Sequence, residues 1–220
     1  MEAIFDTLVG MDYDGSLVPG LAKSWTVVDD TTIELILREG VQFHNGEAFN
    51  AASVSFSVAR MLDEEVNSAF RSNFTSIEEV EVVDDFTVRL HLSSTDGTIF
   101  DRLTDLFMLP PEYVTEAGDT AIATDPVGTG PFKFVEWIPD DHVTLEANPD
   151  YWHGSFKGQP QVGTLIFRPI TEASTRIAEL IAEGVDMIQD LPPDQIQTLV
   201  NAGLVVKSGI TTHLTYFLVT

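Results

Sequence analysis

The chain has 220 residues, and its 35 aspartates and glutamates against 11 lysines and arginines give a formal net charge of −24 at pH 7. This charge argues strongly against binding to nucleic-acid phosphates or anionic membrane surfaces, because both depend on clustered cations. Hydrophobic residues make up 44% of the chain, which favours a globular protein, and the absence of cysteine excludes disulfides, thiolate metal sites and cysteine nucleophiles.

Two β-hairpins separated by a helix are predicted in the first half of the chain. Apolar and polar residues alternate from Ser24 to Leu37 around Asp29-Asp30, and again from Ile77 to Leu92 around Asp84-Asp85. Alternation with a period of two predicts strands with one buried face, and paired aspartates are typical of turns. Between the hairpins, Asn50 is the predicted N-cap of a helix whose apolar residues follow the spacing of one helical face.

The middle of the chain is predicted to pass from a short helix through a loop to further strands. The helix runs from Ile99 to Phe107 and ends before consecutive prolines. Residues 115–131 are rich in turn formers and are predicted to form a loop. A strand pair is predicted at Phe132–Trp137 and Val143–Ala147, and a longer strand at Val162–Ile170.

Helices and strands are predicted to alternate in the last part of the chain. Thr171 is the predicted N-cap of a helix that ends at Gly184, and a second helix runs from Pro192 to Val200 and stops at Gly203. Short strands are predicted at Val185–Ile188, Leu204–Lys207 and His213–Val219. The fold class predicted for the whole chain is therefore mixed α/β, or α+β.

Motifs for catalysis or for metal binding are missing from the sequence. The five histidines include no i, i+4 pair and no His-Glu-x-x-His motif, and no spacing of carboxylates singles out a general acid and base. There is no Gly-x-Ser-x-Gly elbow, and Gly128-Thr129-Gly130-Pro131 lacks the Lys-Ser/Thr of a phosphate-binding loop. The sequence predicts no catalytic residue, no metal ligand and no cofactor, and it predicts a tight turn at the two glycines.

Several blocks of residues stand out when they are taken together and in order. They are Ile4–Val9, Leu17–Trp25, Leu37–Gly46, Pro126–Phe132, Asn148–Trp152, Thr175–Leu180 and Glu183–Asp186. These blocks resemble the signature segments of the family 5, peptide- and nickel-type, solute-binding proteins of ABC importers. The resemblance covers nearly the whole chain, and it implies one lobe of type II periplasmic-binding-protein architecture with an inserted β-rich subdomain.

The resemblance also implies a division of the chain and a missing partner lobe. Residues 1–40 are expected to begin the core of the first lobe, residues 41–160 to form the β-rich insertion, and residues 161–220 to return to the core near a hinge. Relatives are about twice as long, and in them a second lobe closes on the ligand. We therefore expect the chain to be a fragment of the first lobe.

Capture of a small solute outside the cytoplasmic membrane is the function that the resemblance implies. The solute would be a peptide, an oligosaccharide, an opine or a metal chelate, and the partners would be the membrane permease subunits. No nucleic-acid partner and no enzymatic activity are expected, and the expected location is periplasmic or extracytoplasmic. Two alternatives stay open, which are an extracytoplasmic sensor or chaperone-like binding module and a hydrolase that uses acidic residues.

Six residues are predicted to face the ligand because they lie in loops or at strand ends near the place where relatives open their cleft. They are Phe70, Asn73, Phe74, Met108, Thr129 and Tyr216. For Phe70, Phe74 and Met108 the alternative is an ordinary place in the core, because aromatic rings and methionine dominate core packing.

Overall fold

The computed structural model describes residues 1–12 and 14–207. The chain divides into two compact units, the first of residues Met1–Phe167 and the second beginning at Arg168. Helices and sheets are combined, as the mixed α/β class predicts. Among the described residues, no helix is both long and apolar enough to cross a bilayer. The predicted lobe and subdomain boundaries near residues 40 and 160 stay a prediction.

The regular elements of the described residues are short, and all nine strands described lie in the first unit. The strands are β1 (Val9–Met11), β2 (Leu17–Pro19), β3 (Ala22–Asp29), β4 (Thr32–Leu37), β5 (Ile77–Asp84), β6 (Thr87–Leu92), β7 (Phe132–Ile138), β8 (His142–Ala147) and β9 (Thr164–Phe167). The helices are α1 (Ala51–Leu62), α2 (Ile99–Leu103), α3 (Pro111–Ala117), α4 (Asp119–Thr124), α5 (Ala173–Ile181) and α6 (Ile196–Asn201).

Both predicted hairpins are confirmed, and they join in one antiparallel sheet of order β3-β4-β6-β5. The alternation predicted from the sequence is seen in β4, where Ile33, Leu35 and Leu37 are buried and the residues between them are partly exposed. Leu35 lies opposite Val88 of β6, and this apolar face contributes to the larger of two hydrophobic cores. The sheet joins residues from both sides of position 40.

Helix α1 begins where the sequence predicts and packs Val54 and Val58 into the same core. The side chain of Asn50 accepts a hydrogen bond from the Ala52 amide at 2.9 Å, and the Ser53 hydroxyl accepts one from the Asn50 amide at 3.4 Å. This reciprocal cap satisfies amides that the first turn of a helix leaves without partners.

The predicted strand pair around Asp140 is also confirmed and forms a second sheet of order β7-β8-β9. A smaller core lies on one face of this sheet and includes Ile4, Phe5, Phe132 and Leu145. Strand β9 is shorter than predicted, because it ends two residues before Pro169, which has no amide hydrogen to donate to a ladder.

Two predictions for the middle of the chain are wrong. Helix α2 ends at Leu103 instead of Phe107, since Phe107 pairs with the backbone of Thr7 in an isolated bridge. The first part of the predicted loop over residues 115–131 is helical up to Thr124, because Pro111 starts α3 at a favourable position and Gly118, with φ of 78°, separates α3 from α4. The tertiary pairing of Phe107 and the left-handed Gly118 account for these two differences.

In the second unit, the predicted helices are confirmed but their ends differ. Helix α5 follows Glu172, and the Thr171 side chain does not cap it; instead the Arg176 guanidinium donates to the Thr171 carbonyl at 2.9 Å. The left-handed residue after α5 is Glu183, with φ of 58°, and after α6 it is Gly203, as predicted. No strand forms at the predicted positions 185–188 and 204–207, and the predicted strand at 213–219 lies outside the described residues.

Candidate functional site

The carboxylate of Asp6 is buried within the first unit, where the residue is only 2% exposed. Its Oδ1 accepts from the Lys157 ammonium at 2.7 Å and from the Tyr151 hydroxyl at 3.1 Å. Its Oδ2 accepts from the Trp152 indole at 2.9 Å and from the Thr129 hydroxyl at 3.1 Å. A carboxylate can remain buried when it is paired and hydrogen-bonded in this way. We call these five residues the Asp6 hub.

The donors of the Asp6 hub are themselves fully engaged. The Lys157 ammonium also donates to the carbonyls of Glu2 at 2.7 Å and Phe5 at 2.8 Å, which uses its three hydrogens. The Tyr151 hydroxyl also lies 2.6 Å from the Ser155 hydroxyl, and burial beside Asp6 raises the pKa of this phenol far above its ordinary value. The hub therefore joins the N-terminal segment to the loop after β8, and it presents no unused group to a ligand.

Gly128 and Gly130 bring a second segment against the same N-terminal residues. The Gly130 amide donates to the Ile4 carbonyl at 2.8 Å, and the Phe132 amide donates to the Ala3 carbonyl at 2.9 Å. A Cβ atom on Gly130 would lie 2.6 Å from the carbonyl oxygens of Ala3 and Ile4, a distance that real contacts do not show. The backbone bends at residues 129–131 without the hydrogen bond of a tight turn, and glycine is required there because two backbones approach closely. We call residues 128–131 the glycine turn.

The His44 ring fixes the glycine turn from the other side. Its Nε2 lies 2.9 Å from the Gly130 carbonyl, and its Nδ1 accepts from the Gly128 amide at 3.4 Å. An acceptor Nδ1 together with a donor Nε2 is the neutral tautomer of histidine. Burial lowers the pKa of His44 below its ordinary value, which favours the same neutral form.

An open groove of about 520 Å³ lies beside the Asp6 hub, and Tyr151 and Trp152 of the hub line it. We call it the Arg38 groove. Its walls come from the segment after β4 and from the loop after β8, and they carry cationic, acidic and apolar side chains. The lining residues that matter for its chemistry are Lys23, Arg38, Glu39, Pro149, Asp150 and His153.

The six residues predicted to face the ligand do not come together in the described structure. Phe74 and Met108 have no exposed surface and belong to the larger core, which is the alternative that the sequence left open for them. Thr129 is fully buried in the Asp6 hub. Phe70 is 60% exposed and its carbonyl accepts from the Asn73 amide at 2.9 Å, so these two lie on one surface turn. Tyr216 lies outside the described residues.

The chemical types of individual residues in the sequence did not single out the residues that organise this site. Asp6, Trp152 and Arg38 each stood in a block of the family resemblance, but nothing local distinguished Asp6 from the other acidic residues of the chain. Lys157 lay outside every block. The one usable signal was that the blocks around Asp6 and Trp152 contain large apolar residues beside single polar ones, which is typical of a buried polar contact.

No group of three or more histidine, aspartate or glutamate side chains that could hold a metal ion is found in the described part of the chain. Hydrogen bonds lower the pKa of Asp14, Asp29 and Glu81, because each bond stabilises the charged form. These shifts run opposite to the raised pKa that a carboxylic acid needs to act as a proton donor at neutral pH. They give the hydrolase alternative no support.

The fold and its similarity to solved structures now define a class: a mixed α/β lobe of the type II periplasmic binding proteins. The chain belongs to the bacterial extracellular solute-binding proteins, family 5, whose middle-region model matches residues 16–219. The family predicted from the sequence is therefore confirmed. Members of this family are solute-binding proteins.

Individual relatives agree with this assignment. The glutathione-binding protein GsiB of Pectobacterium atrosepticum is 31% identical over 90% of this chain, and di/tripeptide-binding protein 1 of Pseudomonas aeruginosa is 32% identical over 90%. The solved structure of AgaA from A. tumefaciens, in complex with agropinic acid, matches 90% of this chain with a TM-score of 0.83 and 30% identity. The chain spans 38%, 41% and 40% of these three proteins, respectively.

Proposed function

We propose that this chain is part of the substrate-binding component of an ABC importer that captures a peptide or a related small solute outside the cytoplasmic membrane. The observation that carries the proposal is the family match over residues 16–219. The relatives named above bind glutathione, di- and tripeptides and agropinic acid, all of them small and polar, and each carries at least one carboxylate. The proposed partners are the membrane permease subunits.

The geometry of the first unit suits the role of one rigid wall of a two-lobed trap. Solute-binding proteins of this kind close by movement about a hinge, which requires each lobe to keep its shape. The Asp6 hub and the glycine turn tie three distant segments together by buried hydrogen bonds and an ion pair. Phe70 and Asn73 remain proposed ligand contacts, since their turn is exposed and carries an aromatic ring.

The test has a genetic arm and a binding arm. Deleting the gene in its source organism should abolish growth on, or uptake of, the cognate solute, while uptake of an unrelated sugar stays unchanged as the control. The protein that carries this chain should bind the same solute in isothermal titration with one site and without turnover. Undiminished uptake of peptides, opines and nickel chelates in the deletion strain would contradict transport, and loss of a signalling response instead would favour the sensor alternative.

A further inference from the structure

Arg38 is held in place from two directions on the wall of the Arg38 groove. Its Nε donates to the Gly20 carbonyl at 2.6 Å, and its guanidinium lies over the Trp152 ring, 4.8 Å from the ring centroid. The indole is itself fixed by its hydrogen bond to Asp6. Cation–π stacking and one hydrogen bond therefore set the plane of the guanidinium before any ligand arrives.

The two terminal nitrogens of this guanidinium are left without a protein acceptor in the described part of the chain. The single hydrogen bond of the Arg38 side chain there is the one from Nε to Gly20, and no carboxylate pairs with it. By contrast, Arg89 pairs with Glu34 at 2.9 Å, and Arg102 pairs with Asp96 at 3.0 Å. An arginine without a carboxylate partner is unexpected in a chain that has 35 acidic residues.

Neither of the two acidic residues that line the groove pairs with Arg38. Glu39 lies 3.6 Å from the Lys23 ammonium, in an exposed pair that contributes little to stability. Asp150 also lines the groove, yet it makes no ion pair with Arg38. Because Lys23 and Arg38 balance these two acids, the charged lining residues of the groove sum to no net charge, whereas the chain as a whole carries −24.

We propose that the Arg38 groove binds a carboxylate group, held by the two terminal nitrogens of Arg38 and assisted by Lys23. A planar guanidinium fork matches a carboxylate with two parallel hydrogen bonds. The volume of about 520 Å³ lies within the range of small-molecule sites, and the exposed Pro149 supplies apolar surface. The carboxylate can come from a small organic acid or from the C-terminus of a peptide. The site lies wholly within the first unit, so it goes beyond the proposed capture of solute between two lobes.

The test uses the Trp152 indole as a built-in reporter. In ¹H–¹⁵N spectra of the 220-residue chain, its signal is assigned by elimination with Trp25→Phe and Trp137→Phe. Titration with sodium acetate, or with N-acetyl-dialanine, should shift the Trp152 indole and Arg38 Nε signals to saturation at constant ionic strength. The C-terminal amide of the same peptide and sodium chloride should shift neither. Equal affinity for acetate and peptide assigns a small organic acid, and tighter binding of the peptide assigns a peptide C-terminus.

Variants distinguish bidentate binding by the Arg38 guanidinium from the effect of positive charge alone. Arg38→Lys keeps the positive charge but loses the bidentate geometry, and should weaken carboxylate binding about tenfold or more. Lys23→Gln should weaken it only a few-fold, and Lys133→Gln, on the other sheet, should leave it unchanged. Unchanged affinity of Arg38→Lys, shifts that never saturate, or equal shifts with the peptide amide would each overturn the proposal. The amide comparison needs no substitution, so it stands even where a variant fails to fold.

Discussion

Trp152 donates its indole hydrogen to the carboxylate of Asp6 over 2.9 Å, across 146 residues of sequence. The face of the same indole ring also packs against the Arg38 guanidinium. One indole thus connects a buried negative charge to a half-buried positive one. The stability of the first unit and the shape of the Arg38 groove consequently depend on the same contact.

Replacing Asp6 should destabilise the protein strongly. Asp6→Asn removes the negative charge beside Lys157 and leaves a largely buried ammonium without a counterion. We expect a loss of about 3 kcal/mol in the free energy of unfolding, measured by urea denaturation. Asp30→Asn, in the exposed turn between β3 and β4, is the matched control and should change it by less than about 0.5 kcal/mol. Equal stability of the two variants would contradict a stabilising role for the Asp6 hub.

A methyl group at Gly130 should not fit. Gly130→Ala would force its Cβ against the backbone of Ala3 and Ile4, which cannot move aside as a side chain can. We expect a loss of about 1–3 kcal/mol in unfolding free energy. Gly97→Ala is the control, because no atom lies within 4 Å of its Cβ position and its φ is not left-handed. A Gly130→Ala protein as stable as Gly97→Ala would show that the two segments are not in close contact.

Acidification should weaken the link between His44 and the glycine turn. Because burial lowers the pKa of His44 in the folded state, the unfolded chain takes up the proton more readily. The stabilisation is complete above the unfolded value of about 6.5 and is lost as the pH falls through the folded value. His44→Gln keeps a donor and an acceptor but does not titrate, so its stability should fall less between about pH 7.5 and pH 5.5.

His142 provides a control of opposite sign for the same measurement. Hydrogen bonds to Asp141 and Glu136 raise the pKa of His142, so the folded state holds its proton more firmly than the unfolded chain. Its stabilisation is present at low pH and is lost as the pH rises through the folded value. His142→Gln should therefore make the decline on acidification steeper. Parallel pH profiles for the two variants would contradict at least one of the two assignments.

Two phenylalanines that the sequence placed together should behave differently. Phe74→Ala removes a fully buried ring and should cost about 3–5 kcal/mol of unfolding free energy. Phe70→Ala removes a ring that is 60% exposed and should cost less than about 0.5 kcal/mol. In the solute titration, Phe70→Ala should weaken binding about fivefold as a lost aromatic contact. If Phe70→Ala lowered the free energy of unfolding but left the affinity for the solute unchanged, Phe70 would be a core residue and not a ligand contact.

Local patterns predicted well wherever the cause of a structure is itself local. The hairpins around Asp29 and Asp84 follow from alternation and turn chemistry, and α1 follows from its cap at Asn50 and one apolar face. The prediction failed where distant contacts decide, as at Phe107, which a bridge to Thr7 takes out of its predicted helix. It also failed for α3 and α4, because this stretch is rich in turn-forming residues and its helices depend on the start at Pro111 and the break at Gly118.

By itself, the sequence determined the family and the mixed α/β class, and its charge argued against nucleic-acid binding, because these depend on composition, periodicity and the order of signature blocks. Only the tertiary structure decided which acidic residue is buried and organises the site. Asp6 is one of 35 acidic side chains, and its role arises from burial beside Lys157 and Trp152, which are remote in sequence. Burial and long-range pairing depend on how the whole chain folds, so no window of neighbouring residues contains them.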